Sequence, residues 1–191
     1  HDFDLAVGFL LSEGLIAGRE NVVDVSYCPD VVDIQQFNVV QVTLAPTTSF
    51  DLTMLDRNFY ATSSCGVCGK GSLEALRTYC TLAGNDGLRV DESMIRGLPA
   101  KLRGEQRVFS ETGGLHATGL VTSDGLLATL REDVGRHNAL DKVVGRHLMA
   151  GDLPLSRSMA VVSGRASWEL MQKAAAAGIP MVVAIGAPSS L

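Results

Sequence analysis

The chain opens on a helical pattern. Leu5, Phe9 and Leu10, joined by Leu15 and Ile16, give one apolar face, so a helix is expected from Asp4 to Ala17, closed by Gly18. Three short β-type runs follow at 22–27, 38–44 and 50–54, separated by Pro29, Asp30 and Pro46. A glycine-rich stretch comes next. Ser72 then offers an N-cap for a helix reaching about Cys80, and Gly84 to Gly87 form a turn. A second helix is expected over Asp91–Arg103, weakened by Gly97 and Pro99.

The last third of the chain has a sharper pattern. Two strands, His116–Val121 and Leu126–Leu130, flank Thr122-Ser123-Asp124-Gly125, which reads as a hairpin turn. Arg136–Met149 is a helix with Leu140, Val143, Val144 and Leu148 on one face. Met159–Val162 and Met181–Ile185 are short buried strands, and between them Ser167–Ala177 is a helix stopped by Gly178 and Pro180. The order is β-β-α-β-α-β. Right-handed crossovers place 126–130, 159–162 and 181–185 parallel in one sheet. The fold class is therefore mixed α/β (α+β). A smaller N-terminal β-rich part precedes a C-terminal three-layer domain whose element order resembles the cytidine deaminases. The expected divisions are 1–60, a helix and β-rich part; 61–104, a cysteine loop and helical connector; and 105–191, the deaminase-like domain.

This order brings unusual segments together. Ligands in open α/β sheets bind at the carboxyl ends of the parallel strands. Arg131-Glu132-Asp133-Val134-Gly135-Arg136-His137-Asn138, Ser163-Gly164-Arg165-Ala166-Ser167 and Gly186-Ala187-Pro188-Ser189-Ser190 all fall there. Thr112-Gly113-Gly114-Leu115-His116 starts the antiparallel partner strand, beside the end of 126–130. All four converge on one rim. Helix starts offer unpaired N–H groups that suit phosphate, and Arg131, Arg136 and Arg165 add guanidinium groups. The competing reading is ordinary strand-to-helix turns, with Ser167 as a cap and the arginines in solvent. His137, Asn138, Asp141 and Lys142 are expected off the apolar stripe. They form either a polar wall at the rim or a solvated face with a His137–Asp141 pair. His116 is either a site residue or a satisfied core histidine. Gly-Arg-His recurs at 135–137 and 145–147, but ten residues is not a whole number of turns, so the two histidines point different ways.

Composition narrows the function. The 191 residues carry a net charge of -5, which argues against general nucleic-acid binding while leaving room for one small anion in a local positive pocket. No apolar run approaches ~20 residues, so no membrane span and no signal peptide are expected. The chain starts at His1 inside an amphipathic pattern and stops at Leu191 where a helix would begin, so segments are expected on both sides. Four cysteines (28, 65, 68 and 80) do not make a disulfide scaffold. That usage points to a reducing compartment, the cytoplasm.

The remaining chemistry lies in Thr62-Ser63-Ser64-Cys65-Gly66-Val67-Cys68-Gly69-Lys70-Gly71. A Cys-x-x-Cys pair can be half of a zinc site, a redox pair or a sulfur-carrying loop. Structural zinc needs about four ligands, and Cys28 and Cys80 stand alone, so no structural zinc is expected. A deaminase zinc site needs His-x-Glu followed downstream by Pro-Cys-x-x-Cys. Here Ala117 and Thr118 follow His116, and the cysteine pair precedes it. Deaminase activity is excluded while the fold resemblance stands. A thioredoxin-like pair sits at a helix start, whereas here the helix begins several residues later. Gly66, Gly69 and Gly71 favour a travelling thiol over a rigid redox centre, and Lys70 favours the thiolate. Two inert loop cysteines remain the bland reading.

These residues resemble the formate dehydrogenase accessory sulfurtransferases, the FdhD/NarQ family. The likeness runs from Leu5-Ala6-Val7-Gly8-Phe9-Leu10-Leu11-Ser12-Glu13-Gly14, through the cysteine loop and Thr112-Gly113-Gly114-Leu115-His116-Ala117, to the long string Glu132-Asp133-Val134-Gly135-Arg136-His137-Asn138-Ala139-Leu140-Asp141-Lys142. It continues in Ser163-Gly164-Arg165-Ala166-Ser167 and Gly186-Ala187-Pro188-Ser189-Ser190-Leu191. The resemblance implies a carrier that takes sulfur from a cysteine desulfurase as a persulfide. It passes that sulfur to the molybdenum cofactor, in its bis(molybdopterin guanine dinucleotide) form, for formate dehydrogenase. Cys65 would hold the persulfide and Cys68 would assist. The implied cofactor-binding set is Gly113, Gly114, His116, Arg131, Asp133, Arg136, His137, Asn138, Ser163, Arg165, Ser167 and Ser189. A further cofactor-contacting segment of the family would lie past Leu191. The resemblance also allows a homodimer. The alternative function is a cofactor-binding chaperone without sulfur chemistry.

Overall fold

The computed structural model describes residues 1–29, 36–49 and 87–188. The strand expected at 50–54, the cysteine loop with Cys65 and Cys68, the helix expected over 72–80, and Ser189 lie outside the described residues.

Helix α1 spans Asp2–Ser12 and is shorter than its apolar pattern predicts. The chain turns at Gly14, not at Gly18. Gly14 takes φ +74°, its N–H bonds to the Leu11 carbonyl, and the Leu15 N–H reaches back to Leu10. That is a Schellman closure, and it needs a residue tolerant of left-handed backbone. Leu15 and Ile16 still bury, but as chain leaving the helix. A single 3-10 turn, Arg19–Asn21, leads into β1, Val22–Tyr27. It pairs antiparallel with β2, Val40–Leu44, as a separate two-stranded sheet.

Helix α2 runs Glu92–Glu105 and tolerates Pro99 within it. A short helix, α3, follows at Arg107–Thr112, where no helix was expected. Six residues are too few to show a period. Its capping partner is also remote, since the Glu132 carboxylate accepts from the N–H groups of Val108 (3.0 Å) and Phe109 (2.8 Å). Gly113, at φ 68°, closes α3 in the left-handed region.

The main sheet has the order β4-β3-β5-β6. β3 is His116–Thr122 and β4 is Leu127–Asp133. β5 is Ser158–Arg165 and β6 is Met181–Gly186. β3 is antiparallel to both β4 and β5, while β5 and β6 are parallel. The three strands expected to be parallel do run in one direction, with β3 inserted between β4 and β5. Helix α4, Arg136–Ala150, and helix α5, Trp168–Ala176, follow β4 and β5.

Side chains alternate across the sheet as period 2 demands. Leu120, Ala160 and Val162 face a core shared with Val7 and Leu11 of α1, Leu140, Val143 and Val144 of α4, and Leu170 and Ala174 of α5. Ala117, Val121, Met159 and Val161 face the other way, onto Leu98 and Leu102 of α2. The result is three layers: α1, α4 and α5 over one face and α2 over the other.

Two contacts bind α1 to α4. The helices cross at Gly8 and Gly145. A Cβ on Gly8 would lie 1.9 Å from the Asp141 carbonyl oxygen, and one on Gly145 would lie 1.8 Å from that of Asp4. Beside the crossing is a buried polar cluster. Lys173 of α5 donates to both carboxylate oxygens of Asp141 (3.0 and 2.8 Å) and to Glu13 (3.4 Å), and Ser12 donates to Asp141 (2.7 Å). Burial disfavours the Lys173 ammonium, but Asp141 and Glu13 outweigh it and raise its pKa. Asp141 is 1% exposed. It does not join a polar wall or pair with His137, because α1 and α5 cover its face of α4.

Candidate functional site

The rim starts where β4 ends. Asp133 accepts from the Gly135 N–H (2.8 Å) and the Asn138 amide (3.1 Å), and pairs with Lys142. Burial pushes its carboxyl up, but Lys142, the Gly135 N–H and Asn138 together hold it below the usual carboxylate range. This turn launches α4, whose N-cap, Gly135, has no capping side chain of its own. Asp133 and Asn138 therefore set the direction of α4. Lys142 also donates to the Glu132 carbonyl (3.2 Å). Glu132, by capping α3, ties the Gly113-Gly114 turn to the same strand end.

Arg136 is the first residue of α4 and lies against β5. A Cβ on buried Gly164 would meet the Arg136 Cδ at 3.2 Å and the His116 Nδ1 at 3.6 Å. Glycine at 164 is what lets those two side chains close over the strand end. Ser163 accepts from the Ala117 N–H (2.8 Å) and lies 3.4 Å from the His116 Nδ1. The first turn of β3 is thereby fastened to the end of β5.

His137 reaches toward α5. Its Nε2 is 3.2 Å from Ser167 Oγ and 3.5 Å from Glu169. Ser167 is the N-cap of α5 and accepts from the Leu170 N–H. Burial, then the positive groups of Arg136, Lys173 and His116, push the His137 pKa down to about 4. It is a neutral imidazole at pH 7. His147 points elsewhere, toward Thr129 (2.9 Å) and Asp152 (2.9 Å).

The structure thus gathers His116, Asp133, Arg136, His137, Asn138, Ser163 and Ser167. Arg165 is exposed at the end of β5, its backbone packed on Gly186 of β6. Gly113 and Gly114 line a groove of about 590 Å³ together with His116 and Ser163. Arg131 does not join them. Its guanidinium donates to Asp4 of α1 (2.9 and 3.1 Å) and to the Leu130 carbonyl, so it fastens α1 to β4. Cys65, Cys68 and Ser189 lie outside the described residues. Among the described residues no cluster of His, Cys, Asp or Glu has the makings of a metal site, and no helix is long and apolar enough to cross a membrane.

Sequence reasoning did not single out Glu132, Lys173 or the far wall of the groove, formed by Arg103, Gln106 and Phe109. Glu132 stood within a motif already noted, but its partners are 23 and 24 residues away. Lys173 carried no signal, since a lysine in an amphipathic helix normally reads as solvent-facing.

The combination is a mixed-sheet scaffold with a glycine- and serine-lined rim at the strand ends that carries Arg136 and Arg165. The chain belongs to the FdhD/NarQ family, whose model matches residues 1–191. It is 53% identical over its whole length to the sulfur carrier protein FdhD of Streptomyces coelicolor, of which it covers 69%. It is 48% identical to the protein of that name from Mycobacterium tuberculosis, again over the whole chain and 71% of the relative. A solved structure from Desulfotalea psychrophila, described as a formate dehydrogenase accessory protein, superposes with a TM-score of 0.71 at 25% identity. That match covers 99% of this chain and 67% of the other.

Proposed function

We propose that this protein is a sulfur carrier in the maturation of formate dehydrogenase, with Cys65 as the carrying thiol and the rim as the acceptor's seat. The carrying observation is the end-to-end family match, which brings the names of relatives about half identical to this chain. The Cys65 thiolate attacks the outer sulfur of a desulfurase persulfide. A new S–S bond forms on Cys65, and the desulfurase cysteine leaves as a thiolate. In delivery, the Cys68 thiolate attacks the Cys65 sulfur and expels the outer sulfur as hydrosulfide, leaving a Cys65–Cys68 disulfide. A cellular dithiol restores both thiols with two electrons.

The substrate that accepts the sulfur is the molybdenum cofactor in its bis-guanine-dinucleotide form. Arg136, Arg165, Ser163 and the starts of α4 and α5 offer the cationic and N–H groups its phosphates need. The three-layer packing supports reading residues 105–191 as a deaminase-like scaffold turned from zinc chemistry to binding. His116 there contacts Ser163, and the residues after it, Ala117 and Thr118, supply no proton-moving carboxylate. The setting is the cytoplasm, with a cysteine desulfurase as donor and formate dehydrogenase as recipient.

Incubation with a desulfurase and cysteine is expected to add 32 Da per sulfur (the mass of one sulfur atom, about 32) to the peptide holding Cys65, read by mass spectrometry. Cys65→Ala is expected to abolish formate dehydrogenase activity in complemented cells. Full activity with both Cys65→Ala and Cys68→Ala would instead support a cofactor-holding chaperone without sulfur chemistry.

A further inference from the structure

The corner where α1 starts stands apart from the rim. Asp4 lies against Gly145, and from Arg136 at the start of α4 to Gly145 is nine residues, or roughly 13 Å along the helix. Three aromatic rings meet at this corner. Phe3 of α1 is 4.8 Å from Tyr27 of β1, ring centre to ring centre, and Tyr27 is 5.1 Å from Phe37, which it meets edge to face at 83°. Phe37 is 61% exposed, and Phe3 and Val39 are also left open to solvent. Phe37 takes φ 71°, alone in the left-handed region among the described non-glycine residues. A bulky side chain is disfavoured there, because its Cβ crowds the following carbonyl oxygen. Burial would offset that strain, but this ring stands mostly in solvent. Strain kept without burial points to recognition rather than to folding.

The charges around the rings say what they would receive. Residues 1–29 and 36–49 hold five acidic groups, Asp2, Asp4, Glu13, Glu20 and Asp24, against Arg19 alone. Asp4 pairs with Arg131, Glu13 pairs with Lys173, and Arg19 donates to the Val22 carbonyl. Asp2 accepts from the Tyr27 hydroxyl (2.8 Å) and meets no cation among the described residues. No lysine or arginine among them lies over these rings either. The two such contacts they make are Arg103 on Phe109 and Lys173 on Phe9. An unpaired carboxylate therefore stands beside open aromatic rings in an acidic part of the surface.

We propose that this corner is a docking surface for an arginine-bearing segment of a partner protein. The guanidinium lies flat on an open ring of the Tyr27–Phe37 pair and turns its N–H edge to the Asp2 carboxylate. Arginine fits better than lysine. A planar guanidinium stacks on a ring and still keeps its in-plane N–H groups for a carboxylate, whereas an ammonium is a compact, strongly hydrated point charge. The surface takes no part in sulfur delivery, so the reading of the rim stands or falls without it.

The test is an NMR titration of the isotope-labelled chain with three short, acetylated and amidated alanine peptides, one carrying two arginines, one two lysines and one two glutamates. The arginine peptide is expected to shift the amide signals of residues 2–4, 27–28 and 36–40. The lysine peptide is expected to bind about fivefold more weakly, and the glutamate peptide not at all. Phe37→Asn removes the ring and installs a residue that tolerates the left-handed region. It is expected to weaken the arginine peptide about fivefold while melting no lower than the unaltered chain. Asp2→Asn keeps an acceptor for Tyr27 but drops the charge, and is expected to weaken the same peptide about as much, which keeps the test open should the Phe37 variant fold poorly. Equal affinity for the arginine and lysine peptides overturns the proposal, as does arginine binding unchanged in both variants or shifts confined to other residues. A lower melting temperature for Phe37→Asn with peptide binding intact assigns the ring to packing and also overturns it. Self-association of the unaltered chain that Phe37→Asn abolishes gives the corner to a second copy and overturns the arginine partner.

Discussion

Gly145→Ala tests the crossing on which α1 is seated. In an ordinary exposed helix this change stabilises by up to about 1 kcal/mol, because glycine loses more backbone freedom on folding. Here the added Cβ would stand 1.8 Å from the Asp4 carbonyl oxygen and 2.8 Å from the Gly8 nitrogen. Carbon and carbonyl oxygen settle no closer than about 3.3 Å. The helices must therefore part by roughly 1.5 Å to reach that separation. A gap of even 0.5–1 Å forfeits a quarter to a half of each dispersion contact along the seam, to use approximate values. Val7, Leu11, Leu140 and Val144 all lie in the core that this seam closes. The Asp141–Lys173–Ser12 cluster would be pulled apart with it. An overpacking loss of about 3 kcal/mol or more follows. In a chain of this size that is roughly 6–12 °C in Tm. Gly97→Ala is the control: it sits in α2, where an added Cβ meets nothing within 4 Å. It is expected to raise stability by about 0.5–1 kcal/mol. Urea unfolding of both variants checks the reasoning. A Gly145→Ala loss below about 1 kcal/mol would refute the close crossing.

Other expectations follow from the same geometry. Lys173→Met strands the Asp141 carboxylate in the core and is expected to cost about 3–5 kcal/mol by denaturant unfolding; changing Asp141→Leu as well should restore most of it, and simple additivity of the two losses would count against a coupled pair. His137 has a folded pKa of about 4 against 6.5 unfolded, so the unfolded chain binds more protons between those values. The stability it contributes is complete above about pH 6.5 and lost as pH falls toward 4, by an amount of the order of 3 kcal/mol. His137→Gln should flatten that stretch of the stability-versus-pH curve, and an imidazole NMR titration near pH 6.5 for His137 would contradict its burial. Asp133 is depressed, so its contribution is present above the ordinary carboxylate pKa and fades only in more acid solution; Asp133→Asn should shift the acid limb of the unfolding curve and leave the neutral region little changed. Glu132→Ala removes the acceptor for two N–H groups of α3 and should speed amide exchange at Val108 and Phe109 without a comparable change in β3.

Local signals located α4, α5 and all four strands of the main sheet: the apolar stripe of α4, the Thr122–Gly125 turn between β3 and β4, the short apolar runs of β5 and β6, and the Gly178 and Pro180 stops after α5. The convergence of the motifs at 131–138 and 163–167 was also legible, since strand direction and crossover hand fix which loops share an edge. The end of α1 at Gly14 was partly legible: a glycine stood there, but an apolar Leu15 and Ile16 beyond it made the helix look longer. Other features were set by residues far apart in the chain. Asp141 sits one turn from His137 and reads as a polar surface residue, until α1 and α5 cover it and Lys173 arrives from 32 positions away. Arg131 belongs by sequence to the rim motif, yet Asp4 draws it to α1. Gly8 and Gly145 look like helix-weakening glycines on their own; only their meeting shows that absent side chains are what let two backbones touch. What the sequence by itself determined was which segments bury one face and which loops share a strand edge. What only the tertiary structure decided was the partner of each charged or unpaired group, because a charge takes its role from what packs over it and not from its neighbours in the chain.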